Sequence, residues 1–311
     1  MEARVRLGRV AREIESCIAA AGLPAGYADL LRTAVAVDDK VLSPNPSSCW
    51  PLLTLAAYQA ASRGPWEPAI PAAAAAELLI AGFDLLDDLE DGDPNPVVEA
   101  CGPAQALNVL AGLLMLAQGA LLRLNERGVP ADAVLAAQSE LARSAAIAGG
   151  GQYLDLLSES GSILSEEEAL DVTARKAASL VSCVCRIGAR LGTDDPAFVD
   201  QIGRFGWHIG MAGQLRNDLR DVSPGRAGKS DLRRAKQTLP VVAAPAFGLD
   251  VDWTSRTSGD DESIRQALAR SGTLHYTWVV AETHRENARV LLAKLGSDRR
   301  PEYFASLLEL A

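Results

Sequence analysis

"AAAAAELLIAGFDLLDDLEDGD", residues 72–93, decides the fold. An Ala/Leu run with no breaker is strong helix former, and it ends in six acidic residues within the last twelve positions. Asp84, Asp87, Asp88 and Asp91 are spaced i, i+3, i+4, i+7, which places all four on one helical face. Like charges at that spacing repel, so the face costs stability unless a cation sits on it.

The same helical texture runs outward through the chain. The 311 residues are 48% hydrophobic but only 5% aromatic, a composition that favours helix. Periodicity predicts helices over 2–21, 26–41, 50–62, 68–91, 102–126, 131–158, 165–191, 195–221, 236–246, 261–270, 274–295 and 301–310. Breakers such as "SPNPSS" (43–48), "DPNP" (93–96) and "GTDDP" (192–196) fall between them. No stretch alternates as a strand, and no linker divides the chain. The expectation is one all-α domain over 1–311, a helical bundle around a central apolar cavity.

A formal charge of −10 argues against nucleic acid or an anionic membrane surface as partner. The N-terminal "MEARVRLGRVAREIESC" mixes Arg and Glu and does not read as a secretory signal. The most lipid-like run, 106–124, carries Asn108 and Gln118 and reads as a core helix rather than a membrane span. Cys17, Cys49, Cys101, Cys183 and Cys185 form an odd, scattered set, expected to be small core residues in a reducing cytoplasm.

A second acidic face lies in "GQLRNDLRDVSPGRAGKSDLRRAKQTLP", residues 213–240. Gln214, Asn217, Asp218 and Asp221 share one side of a helix, followed by a loop carrying Arg226, Lys229 and Asp231, and then Lys236. Two carboxylate faces make an oxygen-rich cage that suits Mg²⁺, which keeps several waters and is completed by substrate phosphates. That chemistry points to a diphosphate substrate. None of the three histidines shows metal spacing, which excludes zinc; His208 lies near the second cluster, whereas His275 and His284 are expected at the surface. Trp50, Tyr153, Phe205 and Trp207 are candidates to line a cavity with π faces.

These residues resemble the trans-isoprenyl diphosphate synthase (polyprenyl synthetase) superfamily. "DDLED" (87–91) is similar to its first aspartate-rich motif, and "GQLRNDLRD" (213–221) to its second. "GQYLDL" (151–156), "KAASL" (176–180) and "GKSDLRRAKQTLP" (228–240) resemble the motifs around them. The resemblance implies an isoprenoid-synthase fold and a cluster of up to three Mg²⁺ ions on Asp87, Asp88, Asp91, Asn217, Asp218 and Asp221. It implies that Lys176 and Lys229 neutralise the diphosphate beside Gln214. Phe83, Asp84, Gln152, Lys236 and Arg216 complete the substrate-binding set, with Gln152 and Asp155 of more structural character. Phe83, one turn before Asp87, would limit the tail to C10–C20, and Gly82 beside it would open space. Homodimerisation is likewise implied.

The departures shape the functional reading. Where chain-elongating members carry Gly-Gly-Lys-Arg-x-Arg-Pro, this chain reads "PSSCWP", with Ser47, Ser48 and Trp50 in place of basic residues. No Arg or Lys occurs from 93 to 103, where those members carry Arg-Arg-Gly. Each missing Arg–phosphate contact forgoes about 1.5–3 kcal/mol. The reading is therefore an enzyme that ionises an allylic prenyl diphosphate and cyclises or deprotonates the cation, as terpene synthases on the prenyltransferase fold do. The alternatives are transfer to another acceptor, such as the peptide Trp used by pheromone-maturing prenyltransferases, and ordinary elongation with Lys40 or Arg63 as substitute cations. A non-catalytic regulatory subunit is a further alternative.

Overall fold

The structure, a computed structural model, describes residues 2–37, 39–159, 164–224, 232, 234–249, 261–299, 304 and 308. Among them the regular elements are all helical: α1 (Glu2–Ala20), α2 (Ala25–Ala34), α3 (Cys49–Ser62), α4 (Ile70–Asp91), α5 (Pro96–Cys101), α6 (Pro103–Leu122), α7 (Ala131–Ser158), α8 (Glu166–Thr173), α9 (Ser179–Gly192), α10 (Pro196–Asp221), α11 (Leu239–Val242), α12 (Asp261–Ser271) and α13 (Thr273–Ala293). The all-α class is as expected. The chain groups into two compact units, one of residues 1–145, 183–203 and 292–310, the other of 146–182 and 204–291. Their borders fall inside α7, α9, α10 and α13 rather than at any linker.

In the first unit α4 is the central element, packed most extensively against α6 and then against α3 and α1. Its Ala72–Ala76 run is fully buried. Small side chains on every side let several helices approach it at once, so a segment with little amphipathic character is stable as a core helix. Gly82 belongs to this packing: a Cβ there would lie 3.1 Å from Leu114 Cδ2 on α6. The missing side chain lets α6 close in and does not open space beside Phe83. Glu13 of α1, buried, accepts from Arg123 Nε at 2.6 Å and Arg127 Nη2 at 2.9 Å.

In the second unit, Leu215 of α10, Leu239 of α11 and Ala281 of α13 form one core cluster, with Leu170 of α8 packed against it. Val222, Leu232, Val241, Ala244, Ile264 and Leu268 form another. Between α8 and α9 the chain makes a π-helical turn, Ala174–Ala178. Gly151 of α7 meets that turn so closely that a Cβ would lie 2.4 Å from the Lys176 backbone nitrogen. Gly210 of α10 makes a similar contact, with its virtual Cβ 2.5 Å from Ala178 Cα.

Several boundaries differ from the sequence expectation. The helix expected over 26–41 stops at Ala34, because the chain folds back: Leu42 N–H donates to Val35 O, and Ser47 and Ser48 N–H both donate to Asp39 O. "DPNP" does not only break a helix. Asn95 accepts from Val97 N–H and caps the short α5, with Pro96 in its first turn. The helix expected over 236–246 begins only at Leu239: Lys236 reaches Asp155 at 3.3 Å, and Gln237 Nε2 donates back to Ala235 O at 3.1 Å. The last expected helix, 301–310, lies outside the described residues except at 304 and 308. Cys17, Cys183 and Cys185 are buried as expected, but Cys49 and Cys101 are only half-buried. Burial pushes the Cys17 thiol up to about 11 and that of Cys183 to about 12, which keeps both protonated and inert.

Candidate functional site

In the first unit, the site is built at the C-terminal end of α4. Gly92, in the left-handed conformation, ends the helix, so the acidic face sits on its last two turns. Asn95 Nδ2 donates to Asp88 Oδ2 at 2.8 Å, holding that carboxylate toward the loop. Asp87 and Asp91 are half-buried on the same face. Lys40 Nζ lies 2.5 Å from Asp84 Oδ2. Burial lowers the pKa of the Lys40 ammonium, but Asp84, Glu77 and Asp39 outweigh it and leave the group firmly charged. The Asp84 side chain is 52% exposed, yet the protein packed around its other sides raises its carboxyl pKa. Lys40 opposes that rise, and the charges of Asp87 and Asp88 add to it. The crowding of like charge predicted from the spacing is therefore present.

Glu77, two turns back on α4, is only 1% exposed. Its carboxylate accepts from Val41 N–H at 2.9 Å and from Ser48 Oγ at 2.6 Å. Ser48, standing where the elongating enzymes carry a cation, thus anchors the 35–48 loop to α4 and brings Lys40 onto the acidic face. Arg63, the other substitute cation, pairs with Asp298 at 3.1 Å.

In the second unit, two lysines from separate segments converge on Asp155 of α7. Lys176 of the π-helical turn reaches its Oδ2 at 2.8 Å, and Lys236, 4% exposed, reaches the same oxygen at 3.3 Å. Asp155 therefore orients two ammonium groups that together exceed its charge. Gln152, one turn earlier, is buried. On α10, Gln214 Nε2 donates to the buried Asp218 Oδ1 at 2.8 Å. Arg220 Nη2 donates to Asn217 Oδ1. Arg216 and Asp221 are half-buried. The buried Arg265 of α12 donates to the backbone oxygen of Asp221 and so fixes the end of α10. Lys229, Arg226 and Asp231 lie outside the described residues.

The donor set on both acidic faces is oxygen only, which fits a hard divalent cation. Among the described residues no three His, Cys, Asp or Glu side chains converge on one point. Mg²⁺ typically takes one or two carboxylates with waters and phosphate oxygens, so the residues fit it without a preformed cage.

Other sequence candidates separate. Phe205 is sealed in the core, and Tyr153 is 62% exposed, so neither lines a site. Trp50 and Phe83 are half-buried. His284 is not a surface residue: it is half-buried, with its Nδ1 3.0 Å from His208 Nδ1. Trp207 packs against both rings, at centroid distances of 5.0 and 5.4 Å. The Lys40–Asp84 pair, the double hold on Asp155 and the His pair were not visible as pairings in the sequence.

An all-α fold with two aspartate-rich faces and a lysine pair defines an isoprenoid-synthase architecture, and the comparisons agree. Residues 39–252 match the Polyprenyl synthetase family, and the chain belongs to it. It is 33% identical over 286 residues to a (2E,6E)-farnesyl diphosphate synthase of Mycobacterium tuberculosis, covering 84% of this chain and 77% of that one. It is 31% identical over 245 residues to a geranylgeranyl diphosphate synthase of Sulfolobus acidocaldarius, covering 72% and 73%. Among solved structures, the geranylgeranyl pyrophosphate synthetase of Geoglobus acetivorans shares the fold, with a TM-score of 0.83 at 23% identity and 100% and 99% coverage.

Proposed function

We propose that this chain is a prenyl diphosphate synthase, a cytoplasmic enzyme that ionises an allylic prenyl diphosphate and transfers the prenyl cation to isopentenyl diphosphate. The observation that carries this reading is the 33% identity to a farnesyl diphosphate synthase over 84% of the chain. It takes precedence over the cyclising reading drawn from the missing basic motif.

In this reading Asp87, Asp88 and Asp91 of α4, and Asn217, Asp218 and Asp221 of α10, hold Mg²⁺, with up to three ions as the family resemblance implies. The metal supplies Lewis acidity toward the departing pyrophosphate. Lys176 and Lys236, fixed on Asp155, and Lys229 neutralise the negative charge that develops as the allylic C–O bond breaks. Gln214 orients Asp218. The apolar helix faces keep water from the allylic cation until the acceptor's double bond attacks it. Loss of a proton then restores an alkene, and the product retains the acceptor's diphosphate.

A second reading is favoured by one specific arrangement. Lys40 and Arg63 are both engaged with carboxylates, and Ser48 is tied to Glu77. A second trianionic substrate then lacks its usual cations, and the allylic cation is cyclised, deprotonated or captured by an uncharged acceptor such as a peptide Trp.

One experiment separates the two. The full chain is incubated with Mg²⁺ and C5, C10, C15 or C20 allylic diphosphates, with and without isopentenyl diphosphate, and products are read by mass spectrometry. Elongation predicts longer prenyl diphosphates only when both substrates are present. A hydrocarbon or alcohol formed regardless of isopentenyl diphosphate overturns it in favour of the second reading. No pyrophosphate release from any substrate overturns both. We further propose that 1–311 acts as one isoprenoid-synthase domain and as a homodimer, the latter supported by the exposed Leu107, Met115 and Leu122 of α6.

A further inference from the structure

Among the described residues, only Arg63 and Ala235 adopt a positive φ without being glycine. Arg63 does so as the C-cap of α3, an ordinary place for that conformation. Ala235, at φ 56°, caps none of the described helices and stands one residue before Lys236, the buried lysine on Asp155. A Cβ is unfavourable in the left-handed region, so such a residue persists only where its surroundings hold it there.

Leu232 is sealed in one core cluster and Leu239 in another, so the backbone between them is fixed at both ends. Ala235 N–H donates to Leu232 O at 3.1 Å and closes a turn. Gln237 Nε2 donates to Ala235 O at 3.1 Å. Arg234 forms a two-point pair with Glu159, Nε to Oε1 at 2.9 Å and Nη2 to Oε2 at 3.0 Å. The two side chains of that pair are only 26% and 20% exposed. Forked pairing of this kind fixes direction as well as distance.

Glu159 directly follows the last residue of α7, one turn beyond Asp155. Arg234 and Lys236, on either side of Ala235, are therefore pinned at two neighbouring points of α7. A change of backbone region at Ala235 rotates Lys236 relative to Arg234. The Glu159 pair and the Asp155 contact thus hold the same left-handed turn. Lys176 reaches the same Asp155 oxygen, at 2.8 Å, so the turn decides whether the two ammonium groups stand together.

We propose that Glu159 and Arg234 are positioning residues: their pair holds Ala235 left-handed and so presets the Lys236 ammonium beside Lys176 for the charge that develops on the departing pyrophosphate. The proposal rests on the prenyl diphosphate reading of the site, and its test separates the two.

Pyrophosphate release is followed with Mg²⁺, isopentenyl diphosphate and the allylic diphosphate that wild type turns over fastest. Arg234→Gln is expected to lower kcat about tenfold and to change KM less than about threefold, because the lost interaction belongs to the transition state. Adding Ala235→Gly to Arg234→Gln is expected to recover about threefold or more, since glycine takes the left-handed turn without being held there. In a Lys236→Gln background, Arg234→Gln is expected to cost nothing further, because the lysine it positions is gone. No recovery by glycine, or the full loss repeated in the Lys236→Gln background, overturns the proposal. If Arg234→Gln does not fold, Glu159→Gln carries the same comparisons. If wild type releases no pyrophosphate, the prenyl diphosphate reading fails, and calorimetric binding of pyrophosphate with Mg²⁺ decides the proposal alone. Affinity about tenfold weaker in Arg234→Gln, and partly restored by Ala235→Gly, supports it. Equal affinity in the variants, or no binding to wild type, overturns it.

Discussion

Asp155 accepts from two ammonium groups, Lys176 and Lys236, and all three are largely buried. Removing one partner of a buried charge group leaves the others uncompensated, at a cost of about 3–5 kcal/mol. Asp155→Asn is accordingly expected to lower stability by about 3 kcal/mol, toward the lower bound because the amide oxygen still accepts one bond. Urea denaturation measures it, and an unchanged midpoint would show that the lysines are not held by this carboxylate. Lys40 works in the opposite sense, since its charge offsets Asp84 beside Asp87 and Asp88. In Lys40→Met, the acidic face is expected to bind Mg²⁺ several-fold more tightly at pH 8, read by calorimetric titration; unchanged affinity would remove Lys40 from the site's electrostatics. The acidic residues themselves were legible in the sequence, because their spacing is local. Their partners were not: Lys40 lies 44 residues from Asp84, and Lys176 lies 21 from Asp155. Periodicity says which residues share a helix face, and only packing says what that face meets.

At the level of elements, the long helices followed from uninterrupted Ala/Leu periodicity, and the errors fell where a short polar group redirects the chain. Asn95 capping α5 and Asp39 gathering the 35–48 loop both act through single side-chain or backbone oxygens. The π-helical turn at Ala174–Ala178 gave no signal, since one extra residue per turn leaves composition unchanged. The contact between α10 and α13 carries a pH dependence. Burial, with His284 and Arg204 adding to it, pushes His208 down to about 4, and burial also lowers His284. As pH falls from the ordinary histidine value of about 6.5 toward 4, the unfolded chain takes up protons that the folded one refuses. Stability that is complete above 6.5 is therefore lost progressively over that window. Thermal melts from pH 7.5 to 4.5 are expected to fall more steeply for wild type than for His208→Phe, which has no proton to accept. Parallel curves would show that the pair does not titrate in this way.

At the scale of the molecule, two helices among the described residues are long and apolar enough to cross a bilayer, and their burial distinguishes them. The most apolar window of the α4 segment is 83% buried within the protein, but that of the α6 segment is only 33% buried. The sequence predicted 106–124 as a core helix, and this does not hold, because hydropathy records how apolar a helix is and not what covers it. On α6, Leu107, Ala111, Met115 and Leu122 follow one another at helical spacing on the exposed side, and Met115 is 66% exposed. Leu135 of α7, also in the first unit, is equally open. Exposed apolar side chains of this kind, in a protein that otherwise carries a charge of −10, support the dimer proposed above. An isologous dimer places each such stripe against its own copy, so one substitution acts twice across the two-fold axis. Met115→Glu sets two carboxylates close to that axis and is expected to convert a dimer to a monomer at micromolar concentration. Light scattering after size exclusion reads the mass directly, and Met115→Leu is expected to remain dimeric. A wild-type chain that already runs at the 32.8 kDa of one copy would refute the dimer. A monomer that binds neutral vesicles through this stripe, with binding lost in Met115→Glu, would instead assign α6 to a lipid surface.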